Sequence, residues 1–180
     1  MTTEARAQEQ VRVHRGTEAP ELHESGASVS DFGPHVELRE IATRLASSEC
    51  SQAKLLVHQG ADEGGLSIVY LYFKPNFPLF RHQHTVDSLY VVISGSAVDL
   101  MGTEHLVPGD CFSVPAGTPY WYTAGPDGVE VLEIFRDAEQ LRVVYVDNPD
   151  DRVEQAQEAV RANAESWRAI SGGPLFARRR

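Results

Sequence analysis

Apolar positions are thin and aperiodic over the first thirty residues, where Val11, Val13, Leu22 and Val29 stand alone among Glu, Gln, Ser, Gly and Ala. Such a segment buries too little to offset the entropy of ordering it, so residues 1–30 are expected to form a flexible arm. Over 36–45, Leu38, Ile41, Ala42 and Leu45 fit one face of a short helix, although Val36 and Leu38 also fit the start of a strand. From residue 53 the texture changes. Runs at 54–58, 66–73, 85–94, 97–101, 105–107, 110–114, 120–123 and 129–136 are short and strand-like, the run at 66–73 most clearly through its β-branched and aromatic residues. Turn signals separate them, at 60–65, Pro75, Asn76, Pro78, Gly95, Gly102, 108–109, 115–117 and 125–128. Many short strands at regular spacing predict a sandwich or barrel of antiparallel strands.

The last segment returns to a helical period. Asn148 as N-cap, Pro149 at the first helical position, and Asp150 and Asp151 in the first turn predict a helix start. Val153, Ala156, Val160, Asn163, Trp167 and Ile170 then recur at three- and four-residue steps and form one apolar stripe, which Gly172 and Gly173 terminate. The helix is expected to pack on the barrel or on a second subunit, and 176–180 to be a mobile basic tail. The chain thus divides into an arm (1–30), a barrel with its lead-in (31–146), and a C-terminal amphipathic helix with a tail (147–180).

Charge narrows the partners. The 180 residues carry 26 acidic and 16 basic side chains, a net charge of −10. That balance argues against a nucleic-acid surface and against an anionic membrane. No apolar run approaches the roughly 20 residues of a membrane span, and the polar opening residues lead us to expect no secretory signal. Cys50 and Cys111 make no disulfide framework and fit a reducing, cytoplasmic setting.

The candidate chemistry centres on His82-Gln-His84. Two histidines one residue apart on a strand share a face, and imidazole pairs at that spacing suit a transition metal. Eleven of the 15 aromatic residues lie between Tyr70 and Phe135, which predicts an apolar pocket for an organic ligand. The run from His82 to Gly95, and the run Gly109, Pro115, Gly117, Tyr120, resemble the two conserved motifs of the cupin superfamily in spacing and order. The resemblance spans residues 53–137. It implies an all-β double-stranded β-helix, a small jelly-roll barrel, commonly dimeric, here with the N-terminal arm and C-terminal α-helix.

The resemblance also implies a metal held by His82, His84, a glutamate and a further histidine. This sequence has Ser88 at the glutamate position and Tyr120 at the histidine position. One divalent metal (Fe, Ni, Mn or Zn) on His82 and His84, and a metal-free pocket, both follow as expectations. Asp87 lies on the opposite face by strand parity and would reach the centre only across a bulge. Without a metal, His82, His84 and Tyr120 remain as proton-transfer groups. Ser88, Tyr90, Phe80, Trp121 and Tyr122 are the candidate substrate contacts.

The expected function is a small-molecule enzyme of dioxygenase, isomerase, lyase or cyclase type; the alternative is a non-catalytic ligand-binding cupin, a sensor or carrier. The only Lys or Arg residues over 66–137 are Lys74, Arg81 and Arg136, so an anionic substrate would have to rely on a metal, on charged histidines or on Arg81. A neutral, largely apolar or aromatic metabolite is the expectation, with a homodimer as the assembly and neither nucleic acid nor membrane as partner.

Overall fold

The computed structural model describes residues 11–35, 38–45, 50–60, 64–136, 141–147 and 151–177. Its elements run α1 (Leu22–Ser25), β1 (Ser28–Asp31), α2 (Leu38–Leu45), β2 (Ser51–His58), β3 (Leu66–Phe73), β4 (His82–His84), β5 (Ser88–Leu100), β6 (Glu104–Leu106), β7 (Cys111–Val114), β8 (Thr123–Arg136), β9 (Leu141–Tyr145), α3 (Arg152–Arg168) and α4 (Pro174–Ala177). One sheet has the order β2-β3-β8-β5-β6, with β7 also paired to β5, and the other has the order β1-β9-β4. The strands are antiparallel except for β1, which runs parallel to β9. This is the expected jelly-roll with its C-terminal helix.

The period-2 pattern explains what faces inward. Along β8, Val129, Val131, Glu133 and Phe135 alternate onto the core face. They meet Val69, Leu71 and Phe73 of β3 on one side and Tyr90 and Val92 of β5 on the other. The expected strands 85–94 and 97–101 are one strand, β5, which passes through Gly95. Gly95 has φ +68, and a Cβ there would sit 2.0 Å from Gly128 O, so only glycine fits this crossing of β5 and β8. The register of the two strands shifts on either side of it.

One expectation for the arm needs correction. Residues 22–31 are not loose: α1 and β1 belong to the fold, because β1 completes the small sheet through backbone bonds to β9. β9 itself was absent from the expected strands. Residues 1–10 lie outside the described residues.

At the other end, α3 starts at Arg152 with Asp151 in the N-cap position. The expected start at Asn148, Pro149 and Asp150 lies outside the described residues. Ala156, Val160 and Trp167 of the predicted stripe are buried against the barrel, and the Trp167 indole N–H donates to Pro75 O at 2.9 Å. Arg152, also buried, turns its guanidinium inward and donates to Leu79 O, Tyr122 O and the Thr123 hydroxyl. Phe176 is no free tail residue. Its ring meets Tyr70 edge-on at 4.7 Å, and the neighbouring Leu175 N–H donates to buried Glu130 at 2.7 Å.

Candidate functional site

Between the two sheets lies a cavity of about 520 Å³. Its walls are largely apolar, with Leu71, Phe73, Phe77, Leu79, Phe80 and Tyr122 among them, and its polar head is formed by His82, His84, Tyr120 and Glu133. Three pieces of chain bring that head together. β4 supplies both histidines on one face. The bridge between His82 and Tyr120 brings in the second-motif segment. Glu133 arrives from β8, opposite Tyr90 in the ladder.

Each histidine is held by its back nitrogen. His82 Nδ1 is 2.7 Å from Phe80 O, and His84 Nδ1 is 3.2 Å from Arg142 O. A carbonyl only accepts, so both Nδ1 atoms carry a hydrogen and both rings turn Nε2 toward the cavity. Those two Nε2 atoms converge on one atom, the Tyr120 hydroxyl, at 2.9 Å from His82 and 3.2 Å from His84. Tyr120 is also 2.6 Å from the Tyr90 hydroxyl. Tyr90 donates to Glu133 Oε1 at 2.8 Å, and Ser88 donates to the same oxygen at 3.2 Å. His84 Nε2 stands 3.5 Å from that carboxylate.

The environment separates the groups. His82 is 5% exposed; burial, and then the neighbouring His84, lower its pKa to about 3, so the ring is neutral at physiological pH. Burial, followed by the Glu133 charge, raises the hydroxyls of Tyr120 and Tyr90 well above the ordinary tyrosine range. Both phenols keep their protons.

The predicted residues fall into three groups. His82, His84, Tyr120, Tyr122 and Phe80 line the cavity. Ser88 and Tyr90 share their face, as strand parity predicted, but sit behind Tyr120 and Glu133 and hold them rather than forming the wall. Trp121 is a correction. It has the opposite parity to Tyr120 and Tyr122, lies outside the cavity lining, and faces the Arg81 guanidinium at 5.7 Å. Arg81 in turn donates to Asp147 O at 3.0 Å, away from the histidines. Asp87 does not reach the centre: it is exposed and accepts the Ala116 N–H at 2.8 Å.

Glu133 is the residue that the sequence reading missed. The signal was present, as a carboxylate between Val131 and Phe135 on an alternating apolar face. Its meaning needed the β5–β8 register, which no local motif carries.

The family's metal centre does not fit this arrangement. A metal bound by both Nε2 atoms would stand about 2 Å from each, in the direction already taken by the Tyr120 oxygen. Burial disfavours the phenolate that would bind it, and the Ser88 hydroxyl is bonded to Glu133. Among the described residues, no group of three or more His, Cys, Asp or Glu side chains is arranged to hold a metal ion.

No protein-family model and no curated protein matches the sequence. Solved structures do match. The polyketide cyclase RemF from Streptomyces resistomycificus aligns at 22% identity with a TM-score of 0.52, over 82% of this chain and 93% of that one. An RmlC-like cupin from Shewanella frigidimarina aligns at 20% identity with a TM-score of 0.43, over 49% of this chain and 77% of that one. Bacillus subtilis oxalate decarboxylase, described by its Mn(II) centres, aligns at 25% identity with a TM-score of 0.39, over 49% of this chain and 26% of that one. The RemF likeness shows that the chain shares the jelly-roll fold, with the C-terminal helix, that the sequence motifs led us to expect.

Proposed function

We propose that this protein is a small-molecule enzyme of the cupin superfamily that moves protons on a neutral, largely apolar substrate, in a reaction of isomerase, lyase or cyclase type. One observation carries the reading. Two imidazole Nε2 atoms converge on a single phenol whose proton is retained by burial, and a carboxylate stands beside one of the imidazoles.

The roles follow from the surroundings. His84 is the base, because a proton taken at its Nε2 is paired with Glu133. Tyr120 is the acid, since its hydroxyl is protonated and faces the cavity. His82 stays neutral and orients that hydroxyl. A proton leaves the substrate to His84, another returns to the substrate from Tyr120, and transfer across the 3.2 Å contact from His84 to Tyr120 resets the pair. Ser88 and Tyr90 fix the carboxylate through the bonds they donate to it. RemF is named for a cyclase activity; at 22% identity that likeness reaches the fold, and the reaction class here rests on the residues.

The test is isotope exchange in deuterated water with a panel of enolisable ketones and fused-ring phenols. Deuterium entering at the carbon beside the oxygen, at least tenfold faster than in buffer and lost in His84→Gln, is the expected result. Binding without exchange across the panel would overturn the catalytic reading in favour of a ligand-binding cupin.

A further inference from the structure

The head of the cavity is buried, so a ligand must reach it from elsewhere. Among the described residues that line the cavity, three are exposed: His23, Ser30 and Ser171. None belongs to β2–β9. His23 and Ser30 lie on α1 and β1, and Ser171 lies in the turn after α3, which places the mouth between those two segments. Gln52, on β2 and itself part of the lining, joins the two sides. Its Nε2 donates to Glu21 Oε1 at 3.4 Å, and its Oε1 accepts the Gly173 N–H at 3.2 Å. A carboxylate only accepts and a backbone N–H only donates, so both ends of the one carboxamide are engaged. Gly172 has φ +150, and a Cβ there would come within 3.0 Å of Gln52 Oε1, so glycine lets the turn lie against that side chain.

We infer that ligands enter and leave between α1 and the turn after α3, and that the Gln52 carboxamide is the clasp that sets the rate of that passage. Each side of the mouth has a further anchor. Lys54 pairs with Glu21 at 3.0 Å and donates to Ala19 O at 3.0 Å, which ties the first side to β2. The second side is held from outside the barrel, by Phe176 against Tyr70 and by the Leu175 N–H on Glu130. These are a few polar contacts and one edge-on ring contact. They part at lower cost than the paired strands that form the other walls. The clasp grips the walls and not the ligand, so loosening it speeds entry and exit together, whereas losing a ligand contact speeds exit alone. This route lies beyond the chemistry proposed for the cavity head and stands whether or not that chemistry occurs.

The test uses two variants and two readouts. Gln52→Met removes both clasp bonds at similar side-chain length, and Phe176→Ala loosens the same turn from a position outside the cavity lining. Stopped-flow fluorescence times the association and dissociation of 2-naphthol, and amide hydrogen exchange read by mass spectrometry follows residues 169–177 without ligand. Each variant is expected to raise both rates together, at least about threefold, with Kd changed less than about twofold. Each is also expected to speed exchange over 169–177 while β5 and β8 keep their protection, which shows that the barrel is still folded. Unchanged rates in both variants overturn the inference, as does a rise in dissociation alone, unchanged exchange over 169–177, or a wild type that 2-naphthol does not enter. The two readings fail separately. Clasp-dependent entry without deuterium incorporation leaves the route standing and removes the catalytic role; deuterium incorporation with clasp-independent entry does the reverse.

Discussion

The neutrality of His82 has a measurable consequence for folding. Its pKa is about 3 in the folded protein against 6.5 for an ordinary histidine, chiefly because burial penalises the charged ring. As pH falls through 6.5 the unfolded chain takes up a proton that the folded chain refuses until about pH 3. The stabilising contribution is therefore complete above 6.5 and is lost progressively as pH drops through that window. At pH 5 the linkage relation gives a loss of about 2 kcal/mol from this one group relative to pH 8. Urea unfolding at the two pH values, for the wild type and for His82→Phe, isolates the effect, because the other titrating groups contribute to both proteins. The wild type should lose about 2 kcal/mol more than the variant. Equal losses would mean that His82 is not held neutral in a buried site, and the assignment of separate roles to the two histidines would fail.

Three further outcomes are expected. Arg152→Met should destabilise the protein by about 3 kcal/mol in urea, since it strips bonds from Leu79 O and Tyr122 O beside the cavity wall; a change below about 1 kcal/mol would contradict the clamp. Gly173→Ala should loosen the C-terminal segment and speed its proteolysis, because the added Cβ would fall 1.7 Å from the Tyr70 hydroxyl; wild-type resistance would show that the segment shifts freely. Protein purified without a histidine tag should carry well under one transition-metal ion per chain. A stoichiometric metal that disappears in His82→Ala and His84→Ala would restore the metal-centre reading.

Much of this site was legible in the sequence because it rests on local geometry. The His82, His84, Ser88 and Tyr90 face follows from strand parity, and the spacing of Gly95, Gly109, Pro115 and Gly117 carried the barrel. The same parity, applied one residue further, would have placed Trp121 outside. What stayed hidden depends on long-range pairing. Ser28–Asp31 contains one apolar residue, Val29, and is a strand only because β9 offers it a parallel edge. Glu133 reads as an oddity until β8 is known to lie between β3 and β5. Lys74, one of three Lys or Arg residues over 66–137, donates its ammonium to Trp167 O at the end of α3, which only the docking of that helix reveals.

The measurement that bears most directly on the account is deuterium exchange into bound 2-naphthol by Tyr120→Phe. The substitution keeps the ring and removes the one oxygen on which both imidazoles converge. Exchange about 100-fold slower than in the wild type, with the far-ultraviolet spectrum and thermal midpoint little changed, is the predicted result. Exchange at the wild-type rate would contradict the proposal that Tyr120 passes the proton.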